Sequence, residues 1–93
     1  MQPGDRVMIR QGTGALEHWI YASVFAVRPD GAALVTVDHP GNYEHGLTKT
    51  VKSDEIRVKA DLEPLLAEAR TITSPKDRQR WVEHYQVQME QLS

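Results

Sequence analysis

Cysteine is absent from all 93 residues. Disulfide staples and thiolate metal sites are excluded with it, and a cytoplasmic setting is the expectation. No apolar run is long or pure enough for a membrane span. The first residues lack the basic-then-apolar pattern of a secretory signal. Surplus positive charge is missing too: the formal net charge is -2, with seven Lys/Arg against seven Asp/Glu in residues 1–60 and four against six in residues 61–93. A protein that grips nucleic acid chiefly through phosphates carries a basic footprint that this balance does not supply, although a local patch stays open. No internal repeat or low-complexity tract occurs. Neither a nucleophile–base pair nor a buried carboxylate dyad is recognisable, so the expectation is a chain without catalytic residues and without a cofactor.

What is present centres on Trp19 to Gly41. Trp19 to Val27 alternates Trp19, Tyr21, Ser23, Phe25 and Val27 against Ile20, Ala22, Val24 and Ala26, with both faces largely apolar. This predicts a strand covered on both sides. Arg28-Pro29-Asp30-Gly31 supplies a tight turn: Pro29 presets φ, and Gly31 accepts the left-handed conformation of a type I turn with a bulge. Ala33 to Asp38 returns as the partner strand, and Pro40-Gly41 suits the centre of a type II turn.

Around this hairpin, Pro3-Gly4-Asp5 launches a strand over Arg6 to Arg10. Gln11 to His18, with Gly12-Thr13-Gly14, reads as a flexible loop. Leu47 to Val51 alternates as a half-exposed strand. Ser53 to Glu55 makes one helical turn, with Ile56 as a core plug, and Arg57 to Lys59 closes the set. Mainly β architecture follows: a small five-stranded SH3-like barrel over residues 1–60, then two C-terminal helices over residues 61–93. A plain five-stranded sheet capped by helices is the alternative. In the tail, Asp61 is the expected N-cap, Pro64 falls in the first turn, and Leu62, Leu65, Leu66 and Ala69 form a stripe. Ser74-Pro75 starts the second helix.

Asp38, His39, Glu44 and His45 crowd one turn, but their spacing matches no structural zinc signature, and no metal site is expected. Trp19, Tyr21, Tyr43 and His45 are the candidate ligand-binding residues, set beside His18 in an aromatic cleft of the kind that takes Pro-rich peptides, modified side chains or bases. Phe25 is expected in the core. Arg6, Arg10, Arg28, Lys49 and Lys52, with Arg57 and Lys59, are the nucleic-acid candidates if they gather on one face. Trp81, Tyr85 and Met89 share one side of the last helix. They are candidate interface residues for self-association, unless they pack on the barrel or on the preceding helix of their own chain.

Gly4-Asp5-Arg6-Val7, Gly12, Pro29, Gly31 and His39-Pro40-Gly41 together resemble the plasmid-borne type II dihydrofolate reductases over about residues 4–45. Those proteins are SH3-like barrels that assemble as tetramers around a pore where folate and NADPH meet. The resemblance implies the barrel, self-association and a mobile-element origin. The family's pore-lining Val-Gln-Ile-Tyr segment is replaced here by Tyr43-Glu44-His45-Gly46, and its Lys-Lys pair by Ile9 and Arg10. Residues 61–93 have no counterpart in it. Three functions are therefore carried forward: a non-enzymatic barrel that binds a protein or peptide, a nucleic-acid-associated barrel, and a reductase-like NADPH-dependent enzyme. The first is preferred.

Overall fold

A computed structural model describes residues 1–92. The chain forms two compact units, Met1–Arg57 and the residues from Val58 onward. The first holds β1 (Arg6–Gln11), β2 (His18–Val27), β3 (Ala33–Val37), β4 (Thr48–Val51) and β5 (Ile56–Arg57). The second holds α1 (Lys59–Ala69) and α2 (Pro75–Gln91). The architecture is a five-stranded antiparallel sheet followed by two helices, hence mixed α and β. Its strand order is β4-β3-β2-β1-β5, with β4 and β5 as the two ends.

Alternation decides which side of the sheet is buried. Val7 and Ile9 of β1, Ile20, Ala22 and Val24 of β2, Ala33, Val35 and Val37 of β3, and Val51 of β4 are all buried. Cross-strand register puts Val7 opposite Ala22, Ile9 opposite Ile20, Ala22 opposite Val37 and Val24 opposite Val35, so the small and β-branched side chains meet on one face. Ile9 and Ile20 are 0% and 1% exposed. Burial of each removes about 2 kcal/mol of unfavourable hydration.

The other face of β2 departs from the expectation of two covered sides. Trp19, Tyr21 and Ser23 are half-buried, and Phe25, expected in the core, is 68% exposed. The β2–β3 register shifts between Val24 and Ala26, so Phe25 has no cross-strand partner in the ladder. A bulge of this kind re-aims the side chain it carries.

The turns follow their residue chemistry. Gly31 donates its N–H to the Arg28 carbonyl at 3.0 Å, has φ +88°, and is followed by Ala32 N–H on Asp30 Oδ1 at 3.0 Å. Asn42 N–H closes on the His39 carbonyl at 3.0 Å across Pro40 and Gly41. The Gln11 to His18 connection is more ordered than a flexible loop. A 3-10 turn spans Gly14–Leu16, and Gly12 (φ +82°) lies so close to it that a Cβ there would stand 2.5 Å from the Leu16 carbonyl oxygen.

Several element boundaries shift from the sequence reading. β4 begins at Thr48 and leaves Leu47 48% exposed. β5 ends at Arg57 because Lys59 already belongs to α1. Asp61 is not the N-cap of α1. It sits inside the first turn, where its carboxylate accepts the Val58 N–H at 2.8 Å and so satisfies one of the amides a helix start leaves open. Pro64 consequently falls beyond the first turn. In α2, Ser74 caps through Asp77 N–H and Pro75 takes the first helical position, as the sequence predicts.

Candidate functional site

The half-buried face of β1, β2 and β5 places aromatic and basic side chains side by side. Paired residues in an antiparallel ladder share a face, with Cβ atoms about 4.5–5.5 Å apart. Trp19 is paired with Arg10, and Tyr21 with Met8, which is in turn paired with Arg57. The Arg57 guanidinium carbon lies 4.2 Å from the Trp19 ring centroid, and that of Arg6 lies 5.0 Å from Tyr21. Both distances suit cation–π attraction, worth about 0.5–1 kcal/mol at exposed sites. Met8, between the two rows, is 2% exposed. Arg6 also reaches Asp38, with 3.7 Å to the carboxylate and 3.3 Å to the carbonyl oxygen. Arg10 enters no ion pair among the described residues.

Tyr21 ties this face to the His39 turn. Its ring stacks on His39 at 5.4 Å, and its backbone N–H donates to His39 Nδ1 at 3.2 Å. His39 N–H donates in turn to His45 Nδ1 at 3.1 Å. Burial pushes the Tyr21 phenol above its ordinary value, and the positive charge of Arg6 opposes the rise. Of the ligand-binding candidates, then, Trp19 and Tyr21 stand on the sheet face, and His45 accepts a backbone hydrogen bond within the adjoining turn. Tyr43, 85% exposed, makes no ring contact among the described residues.

A polar network that the sequence reading missed locks the neighbouring loops. Gln11 is 4% exposed. Its Nε2 donates to Asn42 Oδ1 at 3.0 Å and to Glu44 Oε1, while its Oε1 accepts from Asn42 Nδ2 at 2.9 Å and contacts His18 Nε2 at 2.6 Å. Asn42 Oδ1 also accepts the Glu44 N–H at 2.9 Å. Lys49 completes the set, with Nζ 3.0 Å from Glu44 Oε2. The Gln11 hydrogen bond, followed by that of Lys49, holds the Glu44 carboxyl below its ordinary value against a smaller opposing effect of burial. One signal was available in the sequence: a glutamine at the inward-facing end of a strand has to find partners.

The basic candidates within the sheet unit do not form one patch. Arg6, Arg10 and Arg57 share the sheet face. Lys49 points to the opposite side and is held by Glu44, Arg28 stands at the exposed tight turn, Lys52 precedes the second 3-10 turn, and Lys59 opens α1. Asp38, His39, Glu44 and His45 form no cluster of three or more possible metal ligands among the described residues. In α2, the rings of Trp81 and Tyr85 stack at 6.0 Å, with Met89 half-buried one turn further on.

One feature joins the two units: none of the six Phe, Trp and Tyr side chains is buried. The core is assembled instead from Val, Ile, Leu, Ala and Met. No family model, no curated protein and no solved structure matches this chain.

Proposed function

We propose that this protein is a non-enzymatic binding module that holds an extended, carboxylate-bearing segment of a partner protein across the face made by Arg10, Trp19, Tyr21 and Arg57. The observation that carries the proposal is the exclusion of every aromatic side chain from the buried core. Aromatic rings and arginines are the residues that most often anchor protein interfaces. Guanidinium groups laid over rings keep their N–H forks at the edge, where a carboxylate can be bound in a bidentate manner. Tyr43 and His45 belong to the adjoining turn, which meets this face through His39 on Tyr21.

The scaffold we infer is an SH3-like barrel. Support comes from the strand order, with β5 beside β1, and from the single 3-10 turn that precedes β5. The likeness to type II dihydrofolate reductases is retained for that scaffold, for self-association and for a cytoplasmic, mobile-element protein. It is not retained for the reaction, because Tyr43-Glu44-His45-Gly46 replaces the pore-lining segment. Of the α2 residues, Met89 remains the proposed surface of self-association, while Trp81 and Tyr85 line the hollow between α1 and α2.

A single-stranded nucleic acid is the second reading, because interleaved rings and arginines also suit stacked bases. It ranks lower on two grounds. Arg57 and Arg6 already lie over the rings a base would need, and Lys49 is held by Glu44. Selection of peptides from a random displayed library against the full chain separates the readings. The expected outcome is a set of acidic, apolar peptides whose affinity falls about tenfold in Trp19→Ala and in Arg57→Ala, the scale of a desolvated cation–π or charged contact. Selected peptides indifferent to both changes would refute the site. Tighter binding of single-stranded oligonucleotides at physiological salt would transfer it to nucleic acid.

A further inference from the structure

The helical unit carries a second candidate site, independent of the sheet-face reading. An open hollow of about 220 Å³ is lined by Leu65, Glu68 and Ala69 of α1, Ile72 of the connecting turn, and Trp81 and Tyr85 of α2. Its size is the first constraint. Cofactors and drug-sized ligands occupy about 300–1,000 Å³. A hollow of this volume matches one long side chain.

Its lining is the second constraint. Leu65, Ala69 and Ile72 give an apolar wall. Trp81 and Tyr85 give two rings with centroids 6.0 Å apart and planes 29° from parallel. Glu68 is the charged residue of the set, is exposed, and enters no ion pair among the described residues. An acidic occupant would be repelled by Glu68, and an uncharged apolar one would gain nothing from its carboxylate. A basic side chain suits all three parts: its aliphatic stem lies along Leu65, Ala69 and Ile72, and its charged head meets the ring faces and the carboxylate. The Arg80 guanidinium carbon is 5.6 Å from the Trp81 ring centroid, so this ring attracts a cation from its own helix, and an incoming head group has to displace Arg80 there or rest on Tyr85 and Glu68.

We propose that the hollow between α1 and α2 is a docking site for a single basic side chain, lysine or arginine, presented by a segment of a partner protein. The test titrates full-length protein with a blocked Gly-Leu-Lys-Leu-Gly peptide and follows the Trp81 indole N–H and the Tyr85 ring by NMR. Its companions are the same peptide with norleucine for lysine, and n-butylammonium alone. Saturable shifts with the lysine peptide are expected, with about tenfold weaker binding of the norleucine peptide. Glu68→Gln, an exposed change that leaves the fold intact, is expected to weaken the lysine peptide about fivefold and leave the norleucine peptide unchanged. Equal binding of the two peptides, insensitivity to Glu68→Gln, or no shift at Trp81 and Tyr85 would overturn the proposal. Butylammonium binding as tight as the lysine peptide would overturn the partner segment in favour of a free amine.

Discussion

The sheet and the last helix, α2, use apolar residues in opposite proportions. In the sheet, nine side chains from four strands share one buried face, and register alone accounts for their meeting. In α2, seventeen residues long, Gln88 is the buried one, while Trp81 and Val87 are 37% and 53% exposed. The sheet is therefore specified by alternation, where a slip of one residue would turn its whole core face to water. α1 has both a buried stripe, Leu62, Leu66 and Ala69, and a satisfied start, Asp61 on the Val58 N–H, whereas α2 is specified mainly by its start, Ser74 with Pro75. The two units agree in one respect, which is that both leave their aromatic rings at the surface.

The largest effect expected from a single change lies in the sheet unit. Gly12→Ala forces an L side chain to φ +82° and sets its Cβ against the Leu16 carbonyl oxygen. A loss of about 3 kcal/mol in urea unfolding is expected, from strain and clash together. A loss under about 1 kcal/mol would restore the flexible loop that the sequence suggests. Next is Gln11→Ala, which strips partners from Asn42, Glu44 and His18 at once. It is expected to cost about 2 kcal/mol.

Acid tests the same network. The folded Glu44 carboxyl titrates below its unfolded value of about 4.3, so its stabilising contribution is present above that pH and is lost as pH falls through the lower folded value. Unfolding midpoints measured from pH 6 down to pH 3 are expected to decline less steeply in Gln11→Ala, because Gln11 supplies the leading cause of the shift. At the small end, Phe25→Ser is expected to change stability by no more than about 0.5 kcal/mol, the ordinary size of a surface substitution. A cost of several kcal/mol there would make Phe25 core after all.

Much of the sheet was legible because its signals are local. Alternation in β1 to β3, the Pro29-Asp30-Gly31 turn, the Pro40-Gly41 turn and the Ser74-Pro75 start each need only a few neighbouring residues. The misplacements have one physical origin: their outcome depends on residues distant in the chain. A period-two pattern that is apolar on both sides does not say which side turns inward. Partners on β1 and β3 settled that for β2, which put Phe25 on the outer face with Trp19 and Tyr21, and the bulge then left it without a cross-strand partner. Asp61 reads as an N-cap until Lys59 is seen to begin the helix. Of the candidate site, Trp19 and Tyr21 were visible as aromatics on one strand face. Their arginine neighbours required the β1–β2 and β1–β5 registers, and the role of Gln11 required loops more than thirty residues apart.

The central claim is that the aromatic rings of this protein serve recognition rather than its core, and Trp19→Ala tests it most directly. Equilibrium urea unfolding of that variant beside the wild type is the measurement. A loss of about 1 kcal/mol is expected, the worth of a half-covered ring and its contact with Arg57. A loss of about 3–5 kcal/mol, the usual cost of truncating a buried Trp or Phe, would contradict the claim and return Trp19 to the core.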